Sequence, residues 1–139
     1  MADRLPLRGL ALAALLFWGT AAATAPLTIR TGESWAFSIS NGQPVKAHRV
    51  EASAKPARGQ ITARVSAMAG TTMTLTNATG TAFTYRAELI GASGKAASRT
   101  CSLPATAQPV LEYWPQKASA VRIGEFRATK GAGACPQNR

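Results

Sequence analysis

The chain has 139 residues, 46% of them hydrophobic, with 16 Lys and Arg against 6 Asp and Glu, a formal net charge of +10. That length fits one domain with a real core. A single His, His48, and scarce acids leave little material for a metal centre or a general acid–base pair, and neither metal nor cofactor is expected.

The first segment reads as a secretory signal. Arg4 and Arg8 form a positive start, Gly9 to Trp18 is an apolar run of about ten residues, and small residues follow. The run is too short to cross a bilayer, which takes about 20 residues. Ala21-Ala22-Ala23 offers a cleavage site, so residues 1–23 are assigned as signal peptide and 24–139 as the domain; a cut after Ala25 also satisfies the rule. The expected location is the periplasm or the medium. Removal of Arg4, Arg8 and Asp3 leaves 14 basic and 5 acidic residues, a charge of +9 with no Asp at all.

Thr28 to Arg30 is a short first strand. Ser34 to Ser40 alternates, with Trp35, Phe37 and Ile39 on one face, and Asn41-Gly42 supplies a two-residue reversal. Val45 to Val50 suits a strand pairing back or a short helix; strand is the preferred reading. Lys55 to Gly59 turns the chain, and Gln60 to Met68 is the next strand, with Ile61, Ala63, Val65 and Ala67 inward.

Gly70 to Gly91 carries the clearest pattern. Met73 and Leu75 share one face against Thr72, Thr74 and Thr76, and Phe83, Tyr85, Ala87 and Leu89 share another against Thr84, Arg86 and Glu88. Asn77-Ala78-Thr79-Gly80 separates the two runs, and the whole is read as a β-hairpin. Asn77-Ala78-Thr79 also matches a glycosylation sequon, for which turn chemistry is the simpler explanation. Gly91 to Thr100 is polar and is read as a loop. Pro109 to Trp114 is a strand whose flanking prolines suit a sheet edge. Ala120 to Arg127 is the last strand; Phe126 joins Val121 and Ile123 inside only if a bulge intervenes after Gly124.

Seven to eight short strands at spacings of about ten residues, with no amphipathic helix, make an all-β antiparallel sandwich the expected fold. Cys101 and Cys135 are expected to form one disulfide in an exported chain, since their spacing suits no metal motif. The loop it closes, about 35 residues, is worth up to ~4 kcal/mol by chain entropy.

The run Leu75-Thr76-Asn77 and Thr79 to Leu89, followed by a Cys and a Trp-bearing strand, resembles small exported bacterial immunoglobulin-like β-sandwich proteins. The resemblance spans Trp35 to Phe126 and implies a fold, not an activity. Cys135 sits in the tail, so the inter-sheet disulfide of true immunoglobulin domains does not carry over.

The chain is expected not to be an enzyme. His48 has only Glu for acidic partners, no nucleophile elbow is present, and Gly91-Ala92-Ser93-Gly94-Lys95 is half a phosphate loop that leads into no helix. Glu88 and Glu112 are each expected on a solvent face. The best binding candidates are Tyr113 and Trp114 with Lys117, Arg122 and Arg86, a set suited to stacking and to anions, with core packing of Trp114 as the competing explanation. The expected function is that of an exported non-enzymatic binding or structural module. Anionic envelope polymers or another exported protein are the candidate partners, the latter making it a subunit of an exported assembly.

Overall fold

The computed structural model describes residues 25–92 and 98–130. The signal segment and Cys135 lie outside them. Nine strands are formed: β1 (Leu27–Arg30), β2 (Ser34–Ser40), β3 (Gln43–Arg49), β4 (Ile61–Ser66), β5 (Thr71–Asn77), β6 (Phe83–Ile90), β7 (Ser98–Leu103), β8 (Val110–Trp114) and β9 (Ala120–Ala128). They make two antiparallel sheets, a four-stranded one in the order β1-β9-β6-β7 and a five-stranded one in the order β3-β2-β4-β5-β8. The all-β sandwich is therefore observed, with one strand more than the upper expectation. The segment from Gln43 to Arg49 is strand, not helix.

Alternation along each strand builds the core. Ile61, Ala63 and Val65 of β4 and Met73 and Leu75 of β5 are buried from one sheet; Tyr85, Ala87 and Leu89 of β6 and Val121 and Ile123 of β9 are buried from the other. Phe126 joins them. Its ring stacks on Tyr85 at 5.3 Å, meets Phe83 edge-on at 5.8 Å, and reaches Phe37 of the facing sheet at 6.0 Å. The inward turn of Phe126 needs the expected bulge. Thr84 pairs with Arg127 but Arg86 with Gly124, so β9 carries one extra residue there, and Glu125 takes a positive φ of 54°. The Asn41-Gly42 reversal also forms, with φ of 50° and 79°, the two left-handed positions of a type I′ turn.

The hairpin reading of Gly70 to Gly91 is corrected. β5 and β6 belong to opposite sheets and do not pair; β5 lies between β4 and β8, and β6 between β9 and β7. The chain arches from one layer to the other at Asn77. That side chain is buried and saturated: Nδ2 donates to Thr81 O at 2.8 Å and to Pro104 O at 3.3 Å, while Oδ1 accepts from the Thr79 amide at 3.0 Å and the Thr79 hydroxyl at 2.7 Å. Turn chemistry thus explains the Asn-Ala-Thr triplet, and an asparagine so enclosed offers no amide for a glycan. Two smaller corrections follow the same logic. Ser98 to Thr100, read as loop, pairs with β6 and opens β7, because an edge strand needs apolar residues on one face only. Ala67, read as inward, lies past the end of β4 and is exposed.

Replacing Asn77 by Ala removes a donor from the Thr81 and Pro104 carbonyls and the acceptor of the Thr79 amide and hydroxyl. The expected loss is about 3 kcal/mol in a denaturant titration, against about 1 kcal/mol for Thr79→Ala. A loss for Asn77→Ala below that of Thr79→Ala would contradict the arch.

Candidate functional site

The five residues expected to gather as a binding cluster do not gather. Arg86 and Arg122 lie on the outer face of the four-stranded sheet, where Arg122 is ion-paired with Glu88 and Arg86 sits 3.9 Å from Glu125. Lys117 is exposed in the connection between β8 and β9. Tyr113 is half exposed and donates its hydroxyl to Ala69 O at 2.8 Å. Trp114 is 1% exposed, so it is a core residue and offers no stacking surface. Along β8, Glu112 and Trp114 take the inward parity and Leu111 and Tyr113 the outward one. Packing the indole decides this, since it removes the largest apolar surface of the strand from water.

Glu112 is carried inside with it, contrary to the expectation of a solvent face. Its compensation comes from β7, the edge strand of the opposite sheet. Arg99 Nη2 lies 3.7 Å from Glu112 Oε2 and donates to Tyr113 O at 3.0 Å, while its guanidinium covers the Trp114 ring at 4.4 Å. One cation thus clasps the open flank of the sandwich. The compensation is partial: among the described residues, Glu112 Oε1 and the buried Tyr85 hydroxyl find no hydrogen-bond partner. Desolvation outweighs the attraction of Arg99 and pushes the Glu112 carboxyl up to about 7. Burial, and after it the Glu112 charge, raise the Tyr85 phenol well above its usual range. Glu88 and Glu112 share no cleft. His48 lies exposed on β3 with Nδ1 3.1 Å from Lys46 O. Among the described residues no group of three His, Cys, Asp or Glu is placed to hold a metal.

A groove of about 550 Å³ lies elsewhere, on the outer face of the five-stranded sheet. Strands β4 and β5 form its floor, which strand register arranges in rows. Ser34, Arg64 and Thr74 lie side by side, and Thr62 pairs with Thr76 in the next row. One wall is the connection from Val50 to Pro56, whose Val50 amide donates to Ser34 O of β2 at 2.9 Å; the other is Ala107 to Pro109. Both walls are tied to the arch. Ala107 N donates to Asn77 O at 3.2 Å, and Gly59 N to Ala78 O and Ala78 N to Gln60 O at 2.9 Å each. Arg64 stands exposed on this floor and takes part in none of the ion pairs among the described residues. On the same outer face, Tyr113 pairs with Thr72, one row further along the strands.

This groove was not legible in the sequence as a site. Alternation places Thr72, Thr74 and Thr76 opposite Met73 and Leu75 without marking them as a site, and the walls are connections distant in the chain. The one available signal was the run of Thr at alternate positions of β5 flanked by Arg64, which marks an outer face unusually uniform in hydroxyls.

No protein-family model matches the chain, and neither a curated protein nor a solved structure resembles it significantly.

The Glu112 carboxyl gives a stability prediction. Its value in the fold lies above the ordinary 4.5, so the folded state holds the proton more tightly than the unfolded chain. Stability from this group is full below pH 4.5 and declines as pH rises through 7, by up to roughly 3 kcal/mol. Between pH 5 and 8 the wild type should lose stability in denaturant titrations, and Glu112→Gln, a neutral mimic of the acid form, should not. Parallel pH profiles for the two proteins would contradict the assignment.

Proposed function

We propose that this chain is an exported, non-enzymatic binding module, akin in layering to small immunoglobulin-like sandwiches, and that it takes an anionic ligand into the groove over β4 and β5. The observation that carries this reading is Arg64, a cation on a floor of hydroxyls between two walls, with no acidic partner among the described residues. Lys55 in the wall adds a second positive charge and Glu51 opposes it. Arg86, Arg122 and Arg99, by contrast, each face a carboxylate. The chain's positive charge then acts as a long-range field that brings the ligand in, while the groove does the holding. Export carries with it a disulfide between Cys101, buried on β7, and Cys135.

A second reading, the subunit of an exported assembly, draws on Met68, Leu111 and Tyr113, the exposed large apolar side chains of the outer β8 region. Arg99 occupies the Tyr113 carbonyl, so such a contact would form through side chains and not by adding a strand. Analytical ultracentrifugation of wild type and Leu111→Asp separates the two readings: a monomer in both cases removes the second.

The main reading is tested with a panel of anionic polymers, including polyphosphate, sulfated and carboxylated glycans and anionic vesicles. At least one should bind with an affinity that falls steeply with salt and drops about tenfold or more in Arg64→Ala, while Arg122→Ala on the opposite sheet stays near wild type. Binding that Arg64→Ala leaves unchanged, or no binding across the panel, would overturn it.

A further inference from the structure

Resting on the groove as the binding site, we infer that its ligand is a uronate-bearing glycan, with a sugar carboxylate on Arg64 and a further ring, beyond the groove, against Tyr113. The groove's chemistry separates the anions. A phosphate or sulfate ester commonly draws on several cations or a nest of backbone amides. Here the floor offers one guanidinium, Arg64, between two neutral hydroxyl residues, Ser34 and Thr74, and in the wall Lys55 is offset by Glu51, so the groove's lining carries a net single positive charge. A planar monoanionic carboxylate matches one planar fork of N–H donors, and needs no second cation.

The rest of the floor argues for a sugar rather than an acidic peptide. Thr62, Thr74 and Thr76 present hydroxyls, which donate and accept and so pair with ring hydroxyls of either role. A peptide in an open groove would seek backbone N–H and C=O groups, but those of β4 and β5 are engaged in their ladders with β2, β8 and each other. The walls contribute small apolar surface, Ala52, Ala54, Pro56 and Pro109, suited to the C–H edges of a pyranose. Volume fits as well: about 550 Å³ lies inside the usual range of ligand sites, ~300–1,000 Å³.

Tyr113 supplies the aromatic platform. It lies on the same outer face, in the row of Thr72, one step of about 7 Å along β5 from the row of Arg64 and Thr74. Its ring is held at the hydroxyl end: the hydroxyl donates to Ala69 O at 2.8 Å, and Cε2 and the hydroxyl lie close over Gly70. A half-exposed aromatic ring fixed this way loses little freedom on stacking. Two strands across and one row along, Tyr113 lies roughly 12 Å from Arg64, a separation for an oligomer of several rings and not for a single sugar.

The test is isothermal titration of the purified protein with short oligomers of galacturonate, glucuronate and mannuronate, each beside its methyl ester, and with a hexaglutamate peptide. At least one uronate oligomer should bind, esterification and Arg64→Gln should each weaken it tenfold or more, and Tyr113→Ala should weaken it severalfold. The control Arg122→Gln should bind as wild type. Circular dichroism of each variant confirms that the fold is kept. The inference is overturned if no uronate oligomer binds, if the methyl esters bind as well, if Arg64→Gln or Tyr113→Ala has no effect, or if hexaglutamate binds as tightly. Arg64-dependent binding of polyphosphate or a sulfated glycan without uronate binding would end this inference and leave the groove's role as an anion site standing.

Discussion

The saturated side chain of Asn77 is the constraint on which the rest of the molecule depends. It closes the arch that moves the chain from the five-stranded to the four-stranded sheet, and its four hydrogen bonds stay inside the protein. An arch at this point allows Met73 and Leu75 to face Tyr85, Ala87 and Leu89 across a core instead of along one sheet. The same corner receives hydrogen bonds from both connections that wall the groove. Fold and candidate site thus meet at one corner, the side chain of Asn77 closing the arch and the backbone of Asn77 and Ala78 holding the connections. Buried polar groups that are fully satisfied specify one arrangement, because every competing register would leave them unpaired.

The opposite flank of the sandwich is managed differently. Strands β7 and β8 are edges of different sheets, and Arg99 bridges them with a carbonyl, a carboxylate and an indole face. This bridge occupies an edge carbonyl that would otherwise invite another strand. Its cost is a carboxyl kept partly unsatisfied in the interior. A buried ion pair of this kind contributes little net stability, and its worth lies in fixing how the two layers meet.

Much of the fold was legible in the residues. Period-two alternation placed the strands, Asn41-Gly42 placed the first reversal, and the broken parity at Gly124 foretold the bulge that turns Phe126 inward. The sheet assignment of β5 and β6 was not legible, because Asn, Thr and Gly serve a hairpin and an arch equally well; the choice is made by partners, β8 and β9, that follow later in the chain. Parity along β8 was ambiguous for a related reason. Leu111 and Tyr113 compete with Glu112 and Trp114 for the core, and the acid is admitted only because Arg99 arrives from a segment whose composition reads as loop. The groove escaped notice since its floor belongs to β4 and β5 while its walls come from residues 50–56 and 107–109. No contiguous motif encodes such a site.

The central claim is that the chain crosses between layers at Asn77, so that both groove walls hang from that corner. Nuclear Overhauser contacts between backbone protons of neighbouring strands test it most directly. The account predicts contacts linking β5 to β8, as between Thr74 and Leu111, and linking β6 to β7, as between Thr84 and Ser102. Contacts running directly between β5 and β6, in the ladder of a hairpin, would contradict it.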